Sequence, residues 1–168
     1  ENGFREERSW VELNQDTSNL TQFFKNKKIR PKDRVAAYMP NTIETVEAFI
    51  ATASIGAIWS SCSPDFGVNG VLDRFGQIEP KLIFACTDYF YNGKHINCIP
   101  RLKEIQREIK SLDAMVTFSS KSSVNSTLES SISFESLCEN NAEDINFVQL
   151  PFDHLLYMMY SSGTTGQP

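Results

Sequence analysis

The residues whose types and spacing could do chemistry lie together at the end of the printed sequence. An apolar run at residues 155–159 leads into a segment rich in hydroxyl side chains and glycine, which contains Ser161, Ser162, Gly163, Thr164, Thr165 and Gly166. Glycine lets successive backbone N–H groups point to one side, and hydroxyl groups add donors, so such a loop could bind phosphate oxygens. Many surface turns share this composition, and residue types alone leave both interpretations open.

The order of residues 161–168, Ser-Ser-Gly-Thr-Thr-Gly-Gln-Pro, resembles the phosphate loop of the adenylate-forming enzymes. That superfamily includes acyl-CoA synthetases, luciferases and the adenylation domains of peptide synthetases. In its members a lysine follows the proline, whereas this sequence stops at Pro168. The resemblance implies that the four hydroxyl groups donate to the β- and γ-phosphates of ATP, and that Gly163 and Gly166 let the backbone close around them.

A second stretch carries a narrower resemblance. Residues 57–67 read Ala-Ile-Trp-Ser-Ser-Cys-Ser-Pro-Asp-Phe-Gly, and together with residues 68–81 they are similar to acetoacetyl-CoA synthetases. Acetyl- and propionyl-CoA synthetases share the Ser-Pro pair but usually differ around Trp-Ser-Ser and Asp-Phe-Gly. The resemblance covers about residues 10–168 and is weakest in the serine-rich residues 119–133.

The resemblance implies a ligase that activates acetoacetate with ATP and Mg²⁺, releases pyrophosphate, and transfers the acyl group from an acyl-adenylate to the thiol of CoA. The substrate carboxylate is then the nucleophile, so catalysis needs positioning and charge stabilisation rather than an enzyme nucleophile. We accordingly assign no catalytic residue to the sequence, which has no persuasive Ser-His-Asp or Cys-His arrangement. By analogy with acetyl-CoA synthetases, a short segment would lie close to CoA: Ser60, Ser61, Cys62 and Ser63.

The rest of the family's machinery, including the lysine after the loop and the mobile C-terminal domain, would lie beyond Pro168. We therefore expect an N-terminal fragment whose main partners are the remainder of its own chain and the small-molecule substrates. We expect the 168-residue chain alone to be inactive and to bind ATP weakly or not at all. A short-chain acetyl- or propionyl-CoA synthetase and a non-catalytic nucleotide-binding module are the alternatives.

Composition limits the classes of partner and ligand that the protein could bind. A formal net charge of -5 argues against binding to a nucleic acid. The four cysteines show no C-x-x-C pairing and the two histidines are far apart, so we expect no metal site and read the cysteines as reduced thiols. No apolar run is long enough to cross a bilayer, and no signal-peptide core follows Glu1. We predict a cytoplasmic protein without a membrane partner.

The elements that must position these segments alternate between strands and helices. Apolar runs predict strands at residues 35–39, 57–62, 81–86 and 114–118, and periodic patterns predict helices at residues 9–26, 42–55, 63–78 and 99–112. This order predicts an α/β fold in which repeated βαβ units form a mostly parallel sheet flanked by helices. We divide the chain into a subdomain at residues 1–118, a serine-rich loop and polar connection at 119–150, and a strand with the phosphate loop at 151–168.

Several helix positions are predicted in detail. Asn41 should cap the second helix, and its buried face should consist of Val46, Phe49, Ile50 and Ala53. Ser63 should cap the third helix, in which Gly67 and Gly70 indicate either tight packing against the sheet or the approach of a phosphate-bearing ligand.

Three further expectations concern side chains and loops outside these helices. Trp10 should be a packing residue, and residues 88–98 should be irregular. His95, without an acid at recognisable spacing, should be a surface or hydrogen-bonded residue rather than a catalyst. For His154 we expect a surface or capping role.

Overall fold

The computed structural model describes residues 5–120 and 128–160, and there the predicted alternation of strands and helices is confirmed. The helices are α1 (Trp10–Asn26), α2 (Ile43–Ser54), α3 (Val68–Ile78), α4 (Ile99–Glu108) and α5 (Phe134–Cys138). The strands are β1 (Arg34–Tyr38), β2 (Ile58–Cys62), β3 (Leu82–Tyr91), β4 (Lys94–Asn97), β5 (Ala114–Ser119) and β6 (Ser131–Ser133).

All six strands belong to one sheet, in which five follow the order β2-β1-β3-β5-β6 and β4 pairs with β3. Neighbours along that path are parallel, and the β3–β4 pair is antiparallel. The chain passes from β1 outward to β2 and then returns past β1 to β3. In open parallel sheets, ligands bind outside the carboxyl ends of the strands at such a reversal, so this edge is where a site is expected.

Helices cover both faces of the sheet, and β1 shows how the sequence produces this. Val35 and Ala37 join the apolar cluster that also contains residues of α1, α2 and α5. The alternate residues, Ala36 and Tyr38, join the cluster that contains residues of α3 and α4. Successive side chains of a strand point to opposite faces, and a parallel sheet is buried on both, so the continuous apolar run of β1 fits a central strand.

The buried face predicted for α2 is wrong. Val46 is 48% exposed, and Phe49, Ile50 and Ala53 are half-buried, whereas Glu44 and Glu47 are buried. The face that packs against α1 carries both glutamates together with small alanine residues. Arg8, just before α1, lies 3.7 Å from Glu44 and 3.5 Å from Glu47, so a nearby cation offsets part of the cost of burying these carboxylates.

Two helices begin later than predicted. The residue that caps α2 is Thr42 rather than Asn41, and α3 begins after Gly67 instead of Ser63. Residues 63–66 form a turn because the Tyr38 hydroxyl lies 2.7 Å from the carbonyl oxygens of both Pro64 and Phe66. Both carbonyls therefore face a hydroxyl group of the sheet, whose single hydrogen donates to one of them at a time.

Residues 88–98 are more regular than predicted. β3 continues to Tyr91 and turns through Asn92 and Gly93 into β4. Both turn residues have positive φ values, 47° and 72°, which is the conformation that a two-residue hairpin of type I′ requires. An Asn-Gly pair is a strong hairpin signal, so this element was predictable from the sequence.

Two features at the ends of the described chain also differ from expectation. Trp10 is 85% exposed, so it is not a packing residue in this chain. Among the residues that the structure describes, the predicted strand before residue 160 forms no ladder and makes an isolated parallel bridge, between Tyr157 and Trp59. Within residues 5–120 and 128–160, no helix is both long and apolar enough to span a membrane.

Candidate functional site

The segment at residues 156–160 runs alongside β2 on its outer edge. The Trp59 N–H donates to the Leu156 carbonyl at 3.0 Å, and the Met158 N–H donates to the Trp59 carbonyl at 2.8 Å. Because the bridge is parallel, the segment points the same way as β2. Tyr160 therefore lies at the carboxyl edge of the sheet, where parallel α/β folds bind their ligands.

Two serines of β2 hold this segment. The Ser60 hydroxyl donates to the Met158 carbonyl at 2.9 Å, and the Ser61 hydroxyl shares a hydrogen bond with the Tyr157 hydroxyl. The sequence predicted these serines to lie close to CoA. The structure brings them onto the chain that leads into the predicted phosphate loop.

The other two members of that set differ from each other. Cys62 is buried, and burial raises the pKa of its thiol to about 11, although nearby Arg74 opposes the shift. The thiol is therefore protonated near neutral pH. Ser63 is exposed, and its hydroxyl lies in the turn, where it donates to Asp65 at 2.9 Å.

The predicted phosphate-loop residues lie outside the described part of the chain. These are Ser161, Ser162, Gly163, Thr164, Thr165 and Gly166. Tyr160, the residue directly before them, is described, and it lies at the carboxyl edge of the sheet.

The turn at residues 63–67 is fixed by side chains from three other elements. Arg101 of α4 donates to the Pro64 carbonyl at 2.9 Å and to the Tyr38 hydroxyl at 3.3 Å. Tyr89 of β3 donates to the Asp65 carboxylate at 2.9 Å. Burial raises the pKa of Tyr38 to about 12, so its hydroxyl stays a neutral donor. Sequence reasoning missed this network because its members are distant in the chain.

A cation–aromatic stack joins α3 to the turn and to the end of the segment at residues 156–160. The Arg74 guanidinium lies 4.3 Å from the centre of the Phe66 ring and 5.7 Å from that of Tyr160. The Tyr160 hydroxyl donates to the Arg74 carbonyl at 2.7 Å, and Arg74 Nη1 donates to the Gly70 carbonyl at 2.8 Å. One side chain of α3 therefore contacts both the turn and Tyr160, the residue directly before the predicted phosphate loop.

The two glycines predicted to mark packing or ligand approach have different surroundings. A Cβ added at Gly70 would meet Phe66 Cδ1 at 3.2 Å, so this glycine permits the ring to pack against α3. At Gly67 a Cβ would meet nothing within 4 Å. Gly70 thus serves close packing, although its contact is Phe66 in the turn and not the sheet.

His95 has an acidic partner that the sequence did not reveal. Its Nε2 lies 2.9 Å from Asp88 Oδ2 across the β3–β4 hairpin, and Asp88 also accepts from hydroxyl groups of Ser119 and Ser120. The expectation that His95 is a hydrogen-bonded residue is confirmed. The pair joins the hairpin to the end of β5, next to the carboxyl edge of the sheet.

A cavity of about 680 Å³ opens at the other end of β1 and β2. Its lining includes Lys32, Arg34, Asp153 and His154. His154 is partly buried, and its Nε2 lies 2.8 Å from the Gly56 carbonyl, two residues after the end of α2. The cavity lies at the amino ends of the parallel strands, away from the edge where such folds bind ligands.

Metal-ligating side chains are dispersed among the described residues. Within residues 5–120 and 128–160, no group of three or more His, Cys, Asp or Glu side chains is placed to hold a metal ion. All four cysteines are free thiols.

Comparison with known proteins matches the chain to one family along nearly its whole length. The family model described as AMP-binding enzyme covers residues 3–168. The chain is 43% identical over 162 residues to an acetoacetyl-coenzyme A synthetase of Rhizobium meliloti, and 44% identical over 168 residues to the acetoacetyl-CoA synthetase of Gallus gallus. Each alignment covers 95% of this chain and 25% of the relative, so the chain spans about a quarter of their length.

The fold comparison agrees. The solved structure of an acetoacetyl-CoA synthetase from Streptomyces lividans matches with a TM-score of 0.89 and 38% sequence identity, over 95% of this chain and 24% of that one. The resemblance inferred from the segments at residues 57–81 and 161–168 is confirmed, and so is the predicted α/β fold class.

Proposed function

The chain belongs to the AMP-binding enzyme family, and on that premise we propose that it is part of an enzyme that makes acetoacetyl-CoA from acetoacetate, ATP and CoA. AMP and pyrophosphate are the other products, and an acyl-adenylate is the intermediate. Relatives named acetoacetyl-CoA synthetase that align with 95% of the chain support this choice of acid. The proposed setting is the cytoplasm, where the four thiols would stay reduced.

The observation that carries the proposal is a parallel seam, the backbone pairing of residues 156–160 with Trp59 of β2. It directs the chain toward the carboxyl edge of the sheet just before a sequence of hydroxyl and glycine residues. Ser161, Ser162, Thr164 and Thr165 would donate to the β- and γ-phosphates of ATP, with glycine N–H groups beside them. Such donors compensate the charge that develops on pyrophosphate as the substrate carboxylate attacks the α-phosphorus.

Contact of residues 60–63 with CoA remains a prediction. The hydrogen bonds that these residues already make limit which of their atoms could contact CoA. Ser60 and Ser61 already have protein partners in the segment at residues 156–160, so CoA would use only their remaining hydrogen-bonding capacity. Ser63 is the exposed member of the set and the best placed to meet a ligand directly.

The acid can be identified with the longer protein that contains this chain. We expect pyrophosphate–ATP exchange that depends on acetoacetate, with kcat/KM at least about tenfold above that for acetate or propionate. A preference for acetate or propionate would favour a short-chain synthetase. Absence of exchange with every acid would favour a nucleotide-binding module without catalysis.

The phosphate loop can be tested separately in the same protein. Thr164→Ala with Thr165→Ala should lower kcat/KM for ATP by about 100-fold or more, because two donors to the developing charge are lost. Ser136→Ala, which removes an exposed hydroxyl of α5, is the matched control and should leave kcat/KM for ATP unchanged. Unaltered adenylation in the double variant would contradict the assignment.

The 168-residue chain alone should show no ligase activity, because it spans only about a quarter of its relatives. Acetoacetate-dependent release of pyrophosphate by the purified chain would refute this expectation.

A further inference from the structure

Arg74 connects two segments that the proposed function treats as separate. Its guanidinium stacks on Phe66, which follows the Ser-Pro-Asp turn, and on Tyr160, which directly precedes the predicted phosphate loop. Tyr160 returns a hydrogen bond from its hydroxyl to the Arg74 carbonyl at 2.7 Å. Arg74 is thus held on one side by its own helix, through Gly70, and contacts Tyr160 through both ring and backbone.

From these contacts we infer that Arg74 is a positioning residue that sets where the chain enters the phosphate loop, and hence how tightly ATP binds. This rests on the proposed function of residues 161–166. Arg74 itself need not touch ATP, because its effect passes through Tyr160.

Arginine suits this role better than lysine would. The planar guanidinium can stack on aromatic rings while its N–H groups donate in the plane, as Nη1 does to Gly70. The Tyr160 side chain is partly buried: burial raises the pKa of Tyr160, although a hydrogen bond with the Ser60 hydroxyl opposes that shift. Ser60 also holds Met158, so two neighbouring elements fix the last five described residues.

The kinetic test separates the two half-reactions in the longer protein. Arg74→Ala should raise KM for ATP in acid-dependent pyrophosphate exchange about tenfold. The KM for the acid and the rate of acyl transfer from preformed adenylate to CoA should stay unchanged. Arg107→Ala, which removes an exposed arginine of α4 whose guanidinium pairs with Glu108, is the matched control.

Variants of Tyr160 show whether the contact is the cause. Tyr160→Leu removes the ring and the hydroxyl and should reproduce the Arg74→Ala defect, and the double variant should be no worse than either single one. Arg74→Lys keeps the charge without the planar stack and should fall between Arg74→Ala and the unchanged protein. Additive losses in the double variant, an unchanged KM for ATP, or equal losses in both half-reactions would overturn the inference.

Hydrogen exchange tests the anchoring without relying on activity. The Met158 N–H, bonded to Trp59 in the seam, should exchange about tenfold faster in Arg74→Ala and at the unaltered rate in Arg107→Ala. An unaltered rate in Arg74→Ala would defeat the inference even if the enzyme is active. Faster exchange in a protein that performs no acid-dependent reaction would support the anchoring but defeat the proposed function.

Discussion

Two carboxylates are buried in different parts of the molecule, and their surroundings are opposite. Asp88, 2% exposed in the second half of β3, accepts hydrogen bonds from Thr87, Ser119, Ser120 and His95. Glu47 of α2 is 0% exposed, and neither of its oxygens has a hydrogen-bond partner. Its one close cation is Arg8, at 3.5 Å, among the ion pairs of the described residues.

The surroundings change the two pKa values in opposite directions. Burial would raise the pKa of Asp88, but the hydrogen bonds from Ser120, His95, Ser119 and Thr87 outweigh it and hold the pKa below its usual value. For Glu47, burial and nearby Asp16 raise the pKa to about 7, although Arg8 opposes them. A carboxylate is therefore stable in the interior when donors surround it, and a single cation at the edge of contact is not sufficient.

The two carboxylates also lie in regions that differ in their distance from the proposed site. Asp88 joins β3, the hairpin and the end of β5, beside the carboxyl edge where the proposed site lies. Glu47 lies between α1 and α2, where no functional segment is placed. We infer that the polar network at the edge maintains the geometry of the site, whereas the α1–α2 contact makes stability depend on pH.

The largest expected effect comes from removing the charge of the satisfied carboxylate. Asp88→Asn should lower the free energy of unfolding by about 2–3 kcal/mol, because an amide oxygen cannot accept from all four donors. Urea denaturation near pH 7 measures this. Asp73→Asn, at an exposed position of α3, should stay within about 0.5 kcal/mol, and an equal loss there would remove the distinction.

The opposite result is expected for the unsatisfied carboxylate. Glu47→Gln should raise the free energy of unfolding by about 1 kcal/mol at pH 8, because it removes a buried charge that lacks hydrogen bonds. Glu104→Gln, on the exposed side of α4, is the control. A loss of stability in Glu47→Gln as large as that in Asp88→Asn would show that both carboxylates are structurally required.

The pH dependence follows from the same pKa shifts. Folded protein binds a proton at Glu47 more readily than unfolded protein does, so the free energy of unfolding should fall as pH rises from about 5 to about 7. The Asp88 contribution is present above the ordinary aspartate pKa and is lost only as pH falls below about 4. In Glu47→Gln, the free energy of unfolding should no longer fall between pH 5 and pH 7, as urea denaturation at several pH values can measure. If it still falls, another group causes this pH dependence.

The smallest expected effect concerns the helix cap beside Arg8. Ser9 caps α1 and exchanges hydrogen bonds with Glu12 in a capping box at the exposed helix end, so Ser9→Ala should lower the free energy of unfolding by about 0.5 kcal/mol. If loss of the cap lets Arg8 move away from Glu47, the pKa of Glu47 should rise further, and the free energy of unfolding should fall more steeply between pH 5 and 7. An unchanged slope would mean that the cap does not position Arg8.

The sequence was sufficient for the fold class and for most of the elements, because apolar runs and helical periodicity are local signals. It failed for α2, where a polar face is buried through contacts with α1 and Arg8. It also misplaced the start of α3, since Tyr38, 25 residues before Ser63, determines the turn. Non-local contacts of this kind leave no pattern in one sequence.

The candidate site was predictable to a similar extent. The order of residues 57–67 and 161–168 carried the family resemblance. That Ser60 and Ser61 contact the segment before the loop, and that Arg74 stacks on Tyr160, required the parallel seam along β2. Parallel strands are brought together by distant parts of the chain, so their pairing is not a local property.

The most direct test of the proposed chemistry is the stoichiometry of products formed by the longer protein. Incubation with α- and γ-labelled ATP, acetoacetate and CoA should yield AMP, pyrophosphate and acetoacetyl-CoA in equal amounts, with no product when acetoacetate is omitted. Formation of ADP and phosphate, or of AMP without acetoacetate, would contradict the assignment.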